Sequence, residues 1–371
     1  MTGNAFPFGF LTFASVKKEK KDIRALSKEE LREFFISVGD QAFRGNQVYE
    51  WLWSKGVHDF ASMTNISKET RRYLEDNFVI NHIRVDKMQR SEDGTIKNAV
   101  KLHDGNIVES VLIPTETRST ACVSSQVGCS LNCQFCATAR LKRMRNLNPD
   151  EIYDQVVAID QESRLYFNRP LSNIVFMGMG EPLINYRNVL EAIDKITSED
   201  GLNMSPKRIT LSTSGVPKMM KILADMEVKF NLALSLHSAI DEVRTKVMPF
   251  NARFPLADIK EALQHWYEKT KSRVTYEYLI WEGINDRQED IDALVDFCQV
   301  TPCKVNIIEY NPIDDGMFQQ ASPEVTTRYQ QALESNGITV TVRRSRGKDI
   351  DAACGQLANK SISETPTLKS N

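Results

Sequence analysis

No stretch of this 371-residue chain approaches the ~18 consecutive apolar residues that a membrane-spanning helix needs, so no membrane association is expected. An excess of charge is lacking too. Lys and Arg total 47 against 49 Asp and Glu, a net charge of −2, which argues against nonspecific coating of nucleic acid and leaves only local basic patches open. The cysteines do not form an even set: seven in a long chain speak against a disulfide framework and for a reducing compartment with metal-binding or catalytic thiols. A cytoplasmic location is expected. The opening MTGNAFPFGFLTFASVKKEKK lacks the charge order of a secretory signal, because its lysines follow the apolar stretch and Pro7 and Gly9 interrupt it.

What is present suits a globular chain: 41% hydrophobic and 26% charged residues, long enough for one large domain and a smaller one. Residues 27–80 read as helical. Ser27 and Glu30 form a capping box, with Leu26 and Leu31 placed as a hydrophobic staple. Phe43, Val48, Trp51 and Leu52 make a helical stripe ended by Gly56, which we assign to core, and ISKETRRYLEDNF reads as a third helix. Between residues 82 and 114 the period drops to two, and Asp93-Gly94 and Asp104-Gly105 mark hairpin turns of an antiparallel meander.

From residue 119 onward strand-like segments (TACVSS, NIVFMG, RITLSTSG, FNLALSLH, VTYEYLIW, KVNIIEYN, ITVTVR) alternate with amphipathic helices. That alternation specifies a parallel sheet with helical crossovers. The absence of GxGxxG after the first strand weakens a dinucleotide-binding sheet, and an α/β partial (β/α)6 barrel is expected. The expected divisions are a flexible extension at 1–23, a helical accessory domain at 24–81, a meander linker at 82–118, the barrel at 119–357 and a tail at 358–371. In such barrels chemistry sits at the C-terminal strand ends, here QVGCSLNC, GMGEPL, STSG, SLHS, EGIND, EYNP and RRSRGKDIDAACG.

Three of the seven cysteines crowd into GCSLNCQFC as Cys129, Cys133 and Cys136, a C-x3-C-x2-C array. Zinc closes on four ligands, usually from paired knuckles, and Cys298 and Cys303 do not supply a second knuckle. Three thiols in a polar loop are also poor candidates for buried small hydrophobes. Closely spaced cysteines hold iron–sulfur clusters, and a cubane with three protein thiolates leaves one iron open to a substrate. The array resembles that of the radical S-adenosylmethionine (SAM) superfamily, with Phe135 at its aromatic position. GMGEPL after a strand offers Gly178 and Gly180 for close backbone approach to a ligand and Glu181 as an acceptor for the SAM ammonium.

Read with DIDAACGQLA, which holds Cys354, these motifs resemble the RlmN family of radical SAM RNA methyltransferases over about residues 25–357. The stretch ATARLKRMRNL departs from the family near Lys142, where many relatives carry glycine. The resemblance implies methylation of adenosine carbon 2, in the peptidyl-transferase region of 23S rRNA and at the adenosine 3′ of a tRNA anticodon. That carbon has no nucleophilic lone pair, so direct attack on SAM is excluded. The implied route methylates Cys354 first, adds the methyl carbon to the base through radical chemistry, and resolves the adduct with Cys122 by thiol–disulfide exchange and Glu109 as general base. The resemblance further implies a [4Fe-4S] cluster on Cys129, Cys133 and Cys136, and SAM contacts from Gly180, Glu181, Ser212, Ser235, His237 and Asn311. On spacing alone, Glu109 would be a plain solvent-facing strand carboxylate.

Two basic runs flank the reactive loops: Arg140, Lys142, Arg143 and Arg145, and Arg343, Arg344, Arg346 and Lys348, which suggests phosphate contacts. The target base would have to leave its stack. A reductase such as flavodoxin or ferredoxin is the implied electron donor, and a monomer is expected. Two alternatives predict different observables: a sister enzyme methylating carbon 8, disfavoured by Pro182 in GMGEPL, and a zinc-stabilised, nonenzymatic RNA-binding protein.

Overall fold

The computed structural model describes residues 20–313 and 316–359, and the chain divides into two compact units, Met1–Asn81 and His82–Asn371. The expected extension thus lies outside the described residues as far as residue 19, and the expected tail from residue 360. In the first unit, β1 (Lys21–Asp22) precedes α1 (Lys28–Ser37), α2 (Phe43–Trp53) and α3 (Lys68–Asn77), and β2 (Phe78–Val79) pairs in parallel with β1. The Ser27–Glu30 capping box forms in both directions, satisfying two amides at the start of α1. The core face of α2 is Val48, Tyr49, Leu52 and Trp53. Phe43 is 49% exposed and Trp51 only half-buried, which corrects the expected stripe. Trp51 instead carries the Lys55 ammonium 3.9 Å above its ring, an interface use of an amphipathic side chain.

The second unit is built on one ten-stranded mixed sheet. It begins with the meander β3 (Arg84–Arg90), β4 (Ile96–Lys101) and β5 (Ile107–Pro114), which continues directly into β6 (Ser119–Cys122) by antiparallel pairing. The meander is therefore the start of the main sheet, not a separate strap. A short ribbon of β7 (Gln126–Val127) and β8 (Arg145–Asn146) closes the cysteine loop. Next come α4 (Pro149–Phe167), β9 (Asn173–Phe176), α5 (Tyr186–Thr197), β10 (Ile209–Thr213), α6 (Pro217–Asp225) and β11 (Asn231–Ser235). The unit finishes with α7 (Asp241–Val247), α8 (Leu256–Thr270), β12 (Val274–Leu279), α9 (Gln288–Cys298), β13 (Cys303–Ile308), α10 (Pro323–Ser335) and β14 (Thr339–Arg343).

From β6 to β14 the seven strands pair in parallel in chain order, and no pairing between β3 and β14 closes the sheet, so it is an open partial barrel. Central strands such as β12 are buried throughout, as parallel strands covered by helices must be. The edge strand β3 carries Arg84, Asp86, Lys87 and Arg90, charges that discourage edge-to-edge pairing. No described helix is long and apolar enough to cross a membrane.

Candidate active site

A cavity of about 990 Å³, mouth included, opens at the C-terminal ends of the parallel strands. Six of the seven strand-end segments expected to meet do so. Cys129, Cys133 and Cys136 come from the loop after β6, Gly180 and Glu181 from that after β9, Ser212 from β10, Ser235 and His237 from β11, Asn311 from the segment after β13, and Cys354 from the loop after β14. EGIND is the exception. Its Asn285 stands behind the wall and donates to the His237 carbonyl at 2.8 Å, while Glu277 from within β12 lines the cavity.

The cysteine loop rests on an apolar floor. Leu131 and Cys133 pack with Val247, Met248, Leu279, Trp281, Tyr310 and Phe318, and Cys129, Phe135 and Cys136 lie against that cluster. Asn132 takes the left-handed conformation (φ 56°), which asparagine tolerates, and lets the loop turn between the first two thiols. The Phe135 ring stands edge-on to His237, centroids 4.9 Å apart. Burial pushes the Cys129 thiol up to about 11 and raises Cys133 and Cys136 as well. Cys129 and Cys133 are raised further by the charge of Cys136. For such desolvated, mutually repelling thiols a bound cation favours the thiolate form. Among the described residues no three side chains converge as they would on a single ion. In a cubane each of three thiolates binds a different iron, which suits three closely spaced cysteines.

The cysteine loop and the distant Cys354 loop are stitched together. The Ala137 amide donates to the Gly355 carbonyl at 2.7 Å, and the Thr138 hydroxyl to the Leu357 carbonyl at 2.7 Å. Asn311 Nδ2 donates to the Cys354 carbonyl at 3.3 Å, while its Oδ1 is buried without a partner on the cavity wall, ready to accept from a ligand. Cys354 is exposed, but into the cavity, and lost solvation still raises its thiol. Cys122 is buried at the end of β6. Burial raises its thiol strongly, and the charge of Cys354 raises it further. All seven cysteines are free thiols.

Glu181 is buried, accepts from Leu183 N at 3.0 Å and Ser214 N at 2.8 Å, and is raised by burial. The Ser212 and Ser235 hydroxyls lie 3.4 Å apart. His237 has φ 57°, unusual for a non-glycine residue. Its Nδ1 accepts from Leu279 N at 3.2 Å, and burial followed by the charge of Arg244 pulls its pKa to about 3. The imidazole is therefore neutral, with Nε2 carrying the proton.

Gly178 and Gly180 line the cavity, and both also make room for the chain itself: a Cβ on Gly178 would lie 2.7 Å from the Val123 carbonyl oxygen, and one on Gly180 (φ 99°) 2.5 Å from Gln126 Cβ. Two expectations change. Glu109 is neither solvent-facing nor on the cavity wall. It is fully buried, its Oε2 accepting the Ala358 and Asn359 amides at 2.8 and 3.1 Å, with Lys97 Nζ 3.6 Å from Oε1. Half of the eight basic side chains in the two runs are spent on internal pairs: Arg145 with Asp104 and Glu151, Arg343 with Glu277, Arg346 with Asp93 and Lys348 with Glu309. Lys142, Arg143 and Arg344 are exposed and make no ion pair among the described residues. Glu277, held by Asn306 Nδ2 at 2.8 Å, escaped the sequence reading, although a lone carboxylate in the apolar run VTYEYL was a usable signal. Lys97, which also donates to the Asp351 carbonyl at 3.3 Å, gave no such signal.

An open β/α sheet with a three-cysteine loop after its first parallel strand and a ligand-sized cavity at the strand ends defines a radical SAM enzyme, and residues 123–298 match the Radical SAM superfamily. Residues 21–80 match the ribosomal RNA large subunit methyltransferase N-terminal domain. The chain belongs to the RlmN family of radical SAM RNA methyltransferases. It is 75% identical to the probable dual-specificity RNA methyltransferase RlmN of Christiangramia forsetii, over 94% of this chain and 99% of that one. It is 41% identical to the dual-specificity RNA methyltransferase RlmN of Geotalea uraniireducens, over 92% and 98%. The crystal structure of a radical SAM methyltransferase from Sphaerobacter thermophilus superposes with a TM-score of 0.85 at 36% identity, covering 91% of this chain and 99% of that one. The cofactors are accordingly a [4Fe-4S] cluster and SAM, and the substrate is RNA.

Proposed function

We propose that this protein methylates carbon 2 of adenosine, in the peptidyl-transferase region of 23S rRNA and at the adenosine 3′ of a tRNA anticodon, through a methylated Cys354. The observation that carries this reading is the cavity that Cys354 shares with the three-cysteine loop. Cys129, Cys133 and Cys136 would hold the cluster, and Gly180, Glu181, Ser212, Ser235, His237 and Asn311 would bind SAM. When bound, these cofactors supply a methyl group and the radical chemistry that activates it.

The chain's own residues do the rest. The Cys354 thiolate accepts a methyl group by displacement and, as a thioether, presents that carbon to the base. With the base tethered through this sulfur, Glu109 takes the ring proton. The Cys122 thiolate attacks the Cys354 sulfur, so that an S–S bond forms as the S–C bond breaks, and the released carbon keeps that electron pair and takes up a proton to become the methyl group. In the described arrangement the Glu109 carboxylate is covered by residues 358 and 359, so its turn comes when that segment lifts. Lys142, Arg143 and Arg344 contact phosphates, residues 24–81 grip RNA, a flavodoxin- or ferredoxin-type reductase delivers electrons, and a monomer works in the cytoplasm.

The test is anaerobic reconstitution followed by peptide mass analysis and nucleoside analysis of treated RNA. A methyl group on Cys354 and 2-methyladenosine are expected. Unmodified Cys354 sinks the route, and 8-methyladenosine moves the protein to the sister specificity.

A further inference from the structure

Arg244, in α7, is the one arginine whose side chain is wholly buried beside the cavity walls among the described residues. Its Nε donates to the Leu236 carbonyl at 3.0 Å, Nη1 to Asn251 Oδ1 at 2.5 Å, and Nη2 to the Ser214 and Ser235 carbonyls at 2.6 and 3.2 Å. Every one of these acceptors is neutral. The neighbouring carboxylate, Asp241, is held off by Asn251, whose Nδ2 donates to Asp241 Oδ1 at 2.9 Å. A buried ion with no carboxylate in ion-pair contact carries a heavy penalty, and a further anion close by in the working state would offset it.

The direction of that anion can be read from the packing. The helix bearing Arg244 runs into Val247 and Met248, which pack on Cys133, and the Gln134 amide donates to the Val247 carbonyl at 2.9 Å. Arg244 also fixes the carbonyls of Ser214 and Ser235, two residues of the cavity wall. Burial lowers the guanidinium to about 10, and Cys133 is the largest influence opposing that, ahead of Asp241.

We infer that Arg244 is the built-in counter-charge of the three-thiolate cluster site, a positioning residue that makes the cluster easier to reduce. Three thiolates give the oxidised cluster a net negative charge, and reduction adds another. A fixed cation in a dry setting favours the more negative form. Because its donors are taken up by carbonyls and an amide, Arg244 acts through its charge and not as a ligand. The inference rests on reading Cys129, Cys133 and Cys136 as the cluster ligands.

The test is a redox titration of the anaerobically reconstituted cluster, followed by electron paramagnetic resonance without SAM or RNA. Arg244→Gln keeps an amide donor and loses the charge. It is expected to lower the reduced-to-oxidised ratio at fixed potential at least tenfold, equivalent to about 59 mV for one electron. Arg244→Lys, which keeps the charge, should stay within about threefold of the parent protein on the same scale. Asp241→Asn removes the opposing carboxylate and should shift the potential upward, which keeps the idea testable if Arg244→Gln does not fold. Denaturant unfolding adds a second readout: Arg244→Gln should lose more stability with the cluster than without it. An unchanged potential in Arg244→Gln, a downward shift in Asp241→Asn, or equal destabilisation with and without iron would reduce Arg244 to a carbonyl clamp. A parent protein that takes up no iron fails the cluster reading and this inference with it, whereas an intact cluster indifferent to position 244 fails the inference alone.

Discussion

Lys97 and Glu109 bury opposite charges on neighbouring strands, both nearly inaccessible, and the pair ties the meander to the Cys354 loop through the Asp351 carbonyl and the amides of residues 358 and 359. Removing one partner leaves the other as an uncompensated buried charge. Lys97→Met should therefore cost about 3–5 kcal/mol in denaturant unfolding, while the double variant Lys97→Met, Glu109→Leu should recover much of that loss. Gly180→Ala tests a different constraint. Its φ of 99° and the 2.5 Å approach of Gln126 Cβ make any side chain there both strained and overpacked. A loss of about 2–4 kcal/mol is expected, measured on the cluster-free protein so that ligand binding does not contribute. A loss below about 1 kcal/mol would show that the loop shifts freely.

Among the elements, α4 organises the cysteine loop from a distance. Glu151, in its first turn, accepts the Asn148 amide at 2.9 Å and both Arg145 terminal nitrogens at 2.7 Å, and Arg145 sits in the ribbon that closes residues 128–144. The helix start thus fixes the exit of the loop as well as its own cap. Arg145→Ala should lower iron bound per chain after reconstitution and cost about 1.5–3 kcal/mol, while helical circular dichroism stays unchanged. If iron uptake is unaffected, the ribbon is not what shapes the loop. The sheet itself was legible strand by strand, since all seven expected parallel segments form. The helices α6 and α7, of nine and seven residues, give a 3.6-residue pattern few turns in which to register.

For the whole molecule, electrostatics decides how RNA is met. The net charge of −2 leaves local patches to do the work, and internal pairing takes four of the eight basic side chains in the two runs, while Lys142, Arg143 and Arg344 stay exposed with no ion pair among the described residues. Replacing these three by glutamine should weaken RNA binding uniformly across sequences and flatten the plot of log affinity against log salt by about 2–3. An unchanged slope would place the phosphate contacts elsewhere, with the unit Met1–Asn81 the next surface to probe.

The cysteine spacing, the order of strand-end motifs and the alternation of strands and helices are local properties, so the sequence alone determined the class of enzyme, the set of site residues worth examining and the order of the parallel sheet. Burial and charge pairing depend on which distant segments meet, and these only the tertiary structure decided. It hid Glu109 under residues 358 and 359, spent Arg145 and Arg343 on carboxylates, and packed the two glycines of GMGEPL against Val123 and Gln126. It also buried the Arg244 guanidinium among neutral carbonyl and amide acceptors. The physical reason is that a side chain's charge state and reach follow from its solvation and its partners, which spacing along the chain does not encode.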